Sequence, residues 1–333
     1  YGRDGTQPTV TDANLVLGRL LPEAFLGGTM ALDTERAYDA VTRIAERLAT
    51  TPQEAALGII RVVNANMEAA IRLISVERGC DPRQFTLVAF GGAGPLHACE
   101  LAAALGIPRV LIPTTPGVLS ALGMLAADTL KDYVRTVMVA ADDAHGVVET
   151  VFAELAEQGQ ADLVREDIAE EHIVIERYLD LRYVGQSYEL VIPFESSITQ
   201  AVDSFHIAHE TRFGYSDPGE RVQVVNVRLK ARGLANPPQL EQRESKQSSN
   251  PTPVSMRDVV FMDTKKLAIS GSHRTYSVPI YEREVLEPGN TLTGPAIITQ
   301  YDTTTVLPPD WQASVDAVAN LIIDQIAEES EHE

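Results

Sequence analysis

Residues 84–127, QFTLVAFGGAGPLHACELAAALGIPRVLIPTTPGVLSALGMLAA, decide the fold class. Gln84–Phe90 is a short apolar run that suits a buried strand. Gly91-Gly92-Ala93-Gly94-Pro95 follows at once and reads as a turn. Leu96–Leu105 is alanine-rich and helical, with Gly106 as its stop. Arg109–Ile112 reads as a second strand ended by Pro113, and Val118–Ala127 as a second helix. Strand, glycine turn, helix, strand, helix is the alternation of an α/β layer.

Upstream, Tyr1–Pro8 is polar loop, and Ala13–Leu21 is expected to be a helix capped by Thr11 or Asp12 and ended by Pro22. A second helix fits Thr34–Ala49. The strongest fits Pro52–Arg78, where Ala56, Ile59, Ile60, Val63, Met67, Ala70, Ile71 and Ile74 make one stripe at helical period. Pro52 suits a first helical position and Gly79 a C-terminal cap. Downstream the character changes. Residues 147–168 suggest a long helix weakened at Gly159, Ile173–Tyr183 and Ser187–Ile192 a β-hairpin, Ile198–Phe213 an amphipathic helix, and Arg221–Arg232 an alternating strand. That order argues an α+β unit. Leu234–Pro253 is proline-rich and almost without apolar residues, hence a linker. Short β-like runs then recur at Val259–Met262, Tyr276–Ile280, Ala296–Thr299 and Thr303–Leu307, followed by apolar Val318–Ile326 and an acidic tail, Glu328–Glu333. The expected division is 1–140 (α/β), 141–233 (α+β), 234–253 (linker) and 254–333 (a separate β-rich module).

The chain has 333 residues, 44% hydrophobic and 22% charged, with a formal net charge of −20. Such a composition excludes disorder over most of the chain. The acidity argues against nucleic acid and anionic membrane as partners. The longest apolar runs are too short and glycine-broken to span a bilayer. Two cysteines, Cys80 and Cys99, exclude a disulfide framework and a cysteine-built zinc site, and fit a reducing cytoplasm. The first residue is Tyr1 rather than Met, so a fragment or a processed chain is expected.

The turn Gly91–Pro95 is the foremost candidate for chemistry. Glycines after a strand let a ligand approach the backbone, and the helix start that follows favours an anion. The spacing is neither a dinucleotide-binding fingerprint nor a Walker A loop, and a plain strand–helix turn is the alternative. His97, in the first turn of that helix, reads as an anion contact or proton carrier, or as a packing residue. Asn64 and Asn66 flank the long helix's apolar stripe and suit backbone bonding better than a nucleotide. His206 and His209 are three apart on one helix face, a metal-compatible spacing, but His209 falls on the apolar stripe and packing is the better reading. Asp12 reads as a cap and Cys99 as inert. No metal site is expected.

Several strings resemble the large subunit of the ATP-dependent hydantoinase/oxoprolinase family, the hydantoinase A type. They are GTQPTVTDANLVLGRL (Gly5–Leu20), VVNANMEAAIRLISVERG (Val62–Gly79), FGGAGPLHACELA (Phe90–Ala102), PGVLSALGMLAAD (Pro116–Asp128), RYVGQSYE (Arg182–Glu189), the Phe213–Tyr215 segment and GPAIITQYDTT (Gly294–Thr304). The resemblance covers nearly the whole chain, in order. It implies the second half of an actin/Hsp70/sugar-kinase-like ATPase domain in residues 1–140. Gly91, Gly92, Ala93, Gly94, Pro95 and His97 would be contacts on the adenosine side of ATP. It implies ATP with Mg²⁺ as cofactors, a cyclic amide as substrate and a hydantoinase B type subunit as partner. It also implies an N-terminal half of the same subunit, bearing the phosphate-binding loops. Acetone and acetophenone carboxylase subunits share these strings, so a ketone with bicarbonate is the alternative substrate. A non-catalytic assembly module is the other reading.

Overall fold

Thr9 and Thr51 start two of the first three helices in the same way. The Thr9 hydroxyl accepts from the Asp12 N–H at 3.2 Å, and the Asp12 carboxylate accepts from the Thr9 N–H at 2.7 Å. The helix it opens, α1, is Val10–Val16. The cap therefore lies upstream of the expected Thr11 or Asp12, because Asp12 is the reciprocal partner of a capping box. α1 also stops short of the expected Leu21. Gly18 takes φ +74° there, with Asp258 O 2.3 Å from where a Cβ would stand, and Leu17 O accepts from the Val260 N–H at 2.9 Å. α2 is Thr34–Leu48, capped by Asp33. α3 is Pro52–Ile74, with Thr51 and Glu54 as its capping box. Bonds from the Thr50 hydroxyl and from Thr51 pull the Glu54 carboxyl down to about 2. Ala55, Ala56, Leu57 and Ile60 of α3 are buried with Ala13, Leu17, Val41 and Ala45. The second half of its apolar stripe is at most half-buried: Ala70 and Ile74 are exposed, as are Val62 and Leu73 beside it.

The computed structural model describes residues 5–244, 251–262 and 273–326. β1 (Thr86–Val88) pairs in parallel with β2 (Arg109–Ile112), and α4 (Gly94–Leu105) joins them as a βαβ unit. The run holding β1 was expected to be buried. Instead β1 is the outermost strand of its sheet, and Phe85 (55%) and Phe90 (51%) stand exposed beside it. Leu119–Ala126 forms α5.

The chain divides into unit 1, residues 1–121 with 239–333, and unit 2, residues 122–238. In unit 2, β3 (Thr129–Ala140), α6 (His145–Val164), β4 (Ile173–Tyr183), β5 (Leu190–Pro193), α7 (Ile198–Phe213) and β6 (Val222–Gly233) follow one another. The strands form an antiparallel sheet in the order β3-β6-β4-β5. The expected hairpin, helix and strand are present. The expected boundary at 140 is not, because β3 belongs to this sheet and pairs with β6 from Thr129↔Gly233 to Ala140↔Gln223. Gly159 does not break α6. It lets the helix close on the sheet, since a Cβ there would lie 2.8 Å from the Ala231 Cβ. Val148, Phe152, Leu155 and Leu163 of α6 and Phe205 of α7 share one core with Leu179, Leu181, Val227 and Leu229.

Unit 1 resumes with β7 (Ser255–Met262), β8 (His273–Glu282), β9 (Thr291–Thr293), β10 (Ala296–Thr299), β11 (Thr304–Leu307), β12 (Trp311–Val315) and β13 (Leu321–Gln325). One sheet has the order β11-β10-β8-β7. The other has the order β1-β2-β13-β12-β9. A separate module over 254–333 is therefore overturned: β13 lies between β2 and β12, hydrogen-bonded to both. Leu321 and Ile323 share a core with Ala98, Cys99 and Ala102 of α4, which a detached module would leave exposed. Residues 234–244 have no regular structure. The acidic tail, Glu328–Glu333, lies outside the described residues. The architecture is mixed α/β with several sheets. Among the described residues no helix is long and apolar enough to cross a membrane.

Candidate functional site

The glycine turn follows β1 and opens α4. Gly91 takes φ +80°, a conformation that favours glycine. Its N–H donates to Pro116 O at 2.8 Å, and Gly92 O accepts from the Thr303 hydroxyl at 3.0 Å. No side chain caps Ala93, the residue before α4, and Pro95 occupies the first turn. The N–H groups of Gly92, Ala93 and Gly94 have no hydrogen-bond acceptor among the described residues. Free donors at the start of a 12-residue helix are a polar recognition surface.

His97 is buried one turn into α4, with Nδ1 2.8 Å from Asn64 Oδ1 on α3. Asn64 Nδ2 donates to Glu100 Oε2 at 2.7 Å, and Glu100 Oε1 lies 2.8 Å from Nη2 of Arg19. The Arg19 guanidinium is fully buried and none of its three nitrogens makes a hydrogen bond, so Nη2 meets Glu100 as an ion pair alone. It stands over the Phe261 ring, 5.3 Å from the centroid. Burial lowers the His97 pKa below the ordinary histidine value; Glu100 acts against this and Arg19 adds to it. The sequence reading treats Asn64 as a border amide and gives Arg19 and Glu100 no role. Glu100 lies three residues after His97, on the same face of α4, and that spacing is the one signal available.

A second wall comes from the segment between β10 and β11. Asp302 Oδ2 accepts from the Gly117 N–H at 2.8 Å, while its buried Oδ1 has no partner. Gly117 is required here: a Cβ would fall 2.3 Å from Asp302 Oδ2. Asp302 O lies 3.4 Å from the position of a Gly92 Cβ. Gln300 Nε2 donates to Thr114 O at 2.7 Å. The GPAIITQYDTT string thus clasps the glycine turn, although nearly 200 residues separate the two. No local spacing could have announced it.

The arrangement decides between parts of a ligand. A carboxylate beside the turn repels phosphate and favours groups that donate hydrogen bonds, such as sugar hydroxyls or an exocyclic amine. The free backbone donors and the open space at Gly91, where a Cβ would meet nothing within 4 Å, fit the nucleoside part of a nucleotide. Among the described residues no three His, Cys, Asp or Glu side chains are grouped to hold a metal.

The other candidates are structural. His209 is buried among Tyr183, Phe205, Phe213 and Tyr215, with Nδ1 2.8 Å from Tyr215 O. His206 Nδ1 is 2.7 Å from the Tyr183 hydroxyl, which also accepts from the Asp217 N–H at 2.8 Å. Cys99 is buried, and burial pushes its thiol up. Asn66 is exposed.

Comparisons with known proteins bear on the whole chain. An uncharacterized protein of Methanocaldococcus jannaschii is 40% identical over 326 residues, 98% of this chain and 46% of that protein. Caprolactamase subunit alpha of Pseudomonas jessenii is 33% identical over 331 residues, 96% of this chain and 46% of that protein. The solved structure of this ATP-dependent caprolactamase superposes with a TM-score of 0.72 at 32% identity, covering 98% of this chain and 48% of that one. A nucleotide-free structure of acetone carboxylase superposes with a TM-score of 0.83 over 95% of this chain and 46% of that one. At 23% identity it is a likeness of fold. The chain therefore spans about half the length of these relatives. The hydantoinase/oxoprolinase profile matches residues 1–133, and the profile of the hydantoinase/oxoprolinase C-terminal domain matches residues 139–323. The chain belongs to the hydantoinase/oxoprolinase family.

Proposed function

We propose that this chain forms the adenosine side of the ATP site in an ATP-dependent hydrolase of cyclic amides. Gly91, Gly92, Ala93, Gly94, Pro95 and His97 meet the nucleoside, and residues 1–121 correspond to part of the second half of an actin-like ATPase domain. The observation that carries this reading is the row of free N–H groups at Gly92–Gly94, with His97 one turn further along the helix they open and the Asp302 backbone oxygen 3.4 Å from the position of a Gly92 Cβ. When bound, ATP supplies a phosphoryl group that turns an unreactive amide oxygen into a leaving group. The chain's own residues hold and orient the nucleoside. The phosphate clamp and the Mg²⁺ ligands come from an N-terminal half of the same subunit, and a hydantoinase B type subunit completes the assembly.

The exposed apolar residues support that N-terminal half as a partner. Phe85, Val88 and Phe90 along β1, and Val62, Leu73 and Ile74 on α3, are the kind of surface that another chain segment covers. The 33% identity to a caprolactamase subunit favours a cyclic amide over a ketone with bicarbonate as substrate.

The test is phosphate release from Mg-ATP by this chain combined with its N-terminal half and partner subunit. Hydantoin, 5-oxoproline, caprolactam, or acetone with bicarbonate is supplied in turn. Stimulation by a cyclic amide, absent from the chain alone, is expected. Stimulation only by acetone with bicarbonate moves the protein to the carboxylases. Turnover by the chain alone overturns the half-site reading.

A further inference from the structure

We infer that the line of contacts Arg19–Glu100–Asn64–His97 fixes His97 as the Nδ1–H tautomer, so that Nε2 is a hydrogen-bond acceptor at the glycine turn. The turn then selects an O–H or N–H group of a nucleoside over a phosphate. The selectivity rests on the reading of that turn as a nucleoside site. The tautomer does not.

The argument runs from the charge inward. Arg19 is fully buried, and the Glu100 carboxylate 2.8 Å away is its counter-ion. An ionised carboxylate only accepts hydrogen bonds, so the Asn64 group 2.7 Å from Glu100 Oε2 is its NH₂. That sets the amide's orientation, and Oδ1 is the atom left 2.8 Å from His97 Nδ1. An amide oxygen only accepts, so Nδ1 carries the hydrogen. In a neutral imidazole the other nitrogen then bears the lone pair. Burial disfavours a second proton. Helical Cα–Cβ bonds tilt toward the N-terminus, so His97, in the first turn of α4, leans toward Gly91–Gly94. Nε2 has no hydrogen-bond partner among the described residues. The Asp302 carboxylate lies beside Gly117 with Oδ2 engaged and Oδ1 buried, so Nε2 is the side-chain acceptor left for a ligand. The ionised phosphates of a nucleotide offer it no hydrogen, while ribose hydroxyls and an exocyclic amine do.

The test is long-range ¹H–¹⁵N correlation of the histidine rings in the full ¹⁵N-labelled chain at pH 7.5, with His97 assigned by its loss in His97→Asn. The expected pattern has a protonated Nδ1 and a bare Nε2. A bare Nδ1, or a ring averaging over both tautomers, overturns the inference. Glu100→Gln removes the obligatory acceptor, because its amide bonds Asn64 in either orientation, and is expected to give a tautomer mixture. A ring unchanged in Glu100→Gln overturns the role of the relay. Adenosine is then titrated against methyl phosphate, which is largely the dianion at this pH. Adenosine is expected to shift Nε2 and methyl phosphate to leave it in place. Asn in place of His97 keeps the donor to Asn64 but lacks an atom where Nε2 stood, and is expected to weaken adenosine binding about tenfold. A shift with methyl phosphate alone overturns the selectivity. The expected tautomer with no response to adenosine overturns the nucleoside reading of the turn, and the selectivity with it, while the tautomer stands.

Discussion

In unit 2 the buried carboxylate of Asp180 on β4 accepts hydrogen bonds from Asn226 Nδ2 at 2.8 Å and from Arg228 Nη2 at 3.0 Å and Nε at 3.3 Å. Both donors sit on β6, the adjacent strand. In unit 1 the buried guanidinium of Arg19 leans on one carboxylate and one aromatic face, and none of its three nitrogens makes a hydrogen bond. The first network is closed within one sheet. The second crosses from the segment after α1 through α4 to α3 and ends at His97, one turn from the glycine turn. A buried polar group that is satisfied locally fixes packing. One that is left partly unsatisfied costs stability, and such costs concentrate where a site has to be shaped. The difference sets a network closed within one sheet against one left open, and we propose that the open one serves the turn.

The hardest way to break the comparison is in the core of unit 2. Phe152 is fully buried in unit 2, stacked on Phe194 at 5.1 Å between centroids. Phe152→Ala is expected to cost about 3–5 kcal/mol. Amide hydrogen exchange should show protection lost in β4 and β6 and kept in β12 and β13; loss throughout the chain would mean that the two units do not open separately. Next comes the charge of unit 1. Glu100→Ala leaves Arg19 buried without its counter-charge and should cost about 3 kcal/mol in a urea titration. The low end of the range applies because 29% of the Glu100 side chain is exposed. A change below about 0.5 kcal/mol, the size of a surface substitution, would show that the ion pair is idle. Gly159→Ala is smaller. The added methyl meets Ala231 Cβ at 2.8 Å and Tyr133 Cε2 at 3.3 Å. Overpacking costs about 1–3 kcal/mol and the helix regains about 1 kcal/mol from losing a glycine. A net loss of about 1 kcal/mol is expected from thermal unfolding, and a gain would show that α6 does not need the close approach.

Local patterns made the helices and most strands legible. The helical stripe of α3, the alternation of β4 and β6 and the punctuation at Gly91–Pro95 are written in neighbouring residues. The glycine turn and His97 stood out for the same reason. Where the reading failed, the deciding partner was far away in the chain. β3 alternates only from Thr129 to Val134 and loses the pattern around a register shift between Thr136 and Val139. β13 completes a sheet begun some 200 residues earlier, at β2. Asp302, Thr303 and Arg19 reach the turn only through tertiary contacts. β1 was misread as buried because an apolar strand at a sheet edge has the same composition as one at its centre.

The smallest effect separates the units by pH. His97 is held below the ordinary histidine value of about 6.5, chiefly by burial. Between its folded value and about 6.5 the unfolded chain binds a proton at this ring that the folded chain does not. Stability rises with pH wherever the unfolded state holds more protons, so this contribution is complete above about 6.5 and is lost as pH falls below it. The urea midpoint of unit 1, followed through the exchange of β12 and β13 amides, should therefore be lower at pH 5.5 than at pH 7.5. His97→Asn keeps the bond to Asn64 without the ionisable ring, so the part of the slope due to His97 should vanish in that variant while the rest remains. An identical slope in both proteins would mean that His97 takes up its proton equally well folded and unfolded. Burial would then not be what keeps the ring neutral beside the glycine turn, and the unsatisfied charge of Arg19 would have lost its purpose there.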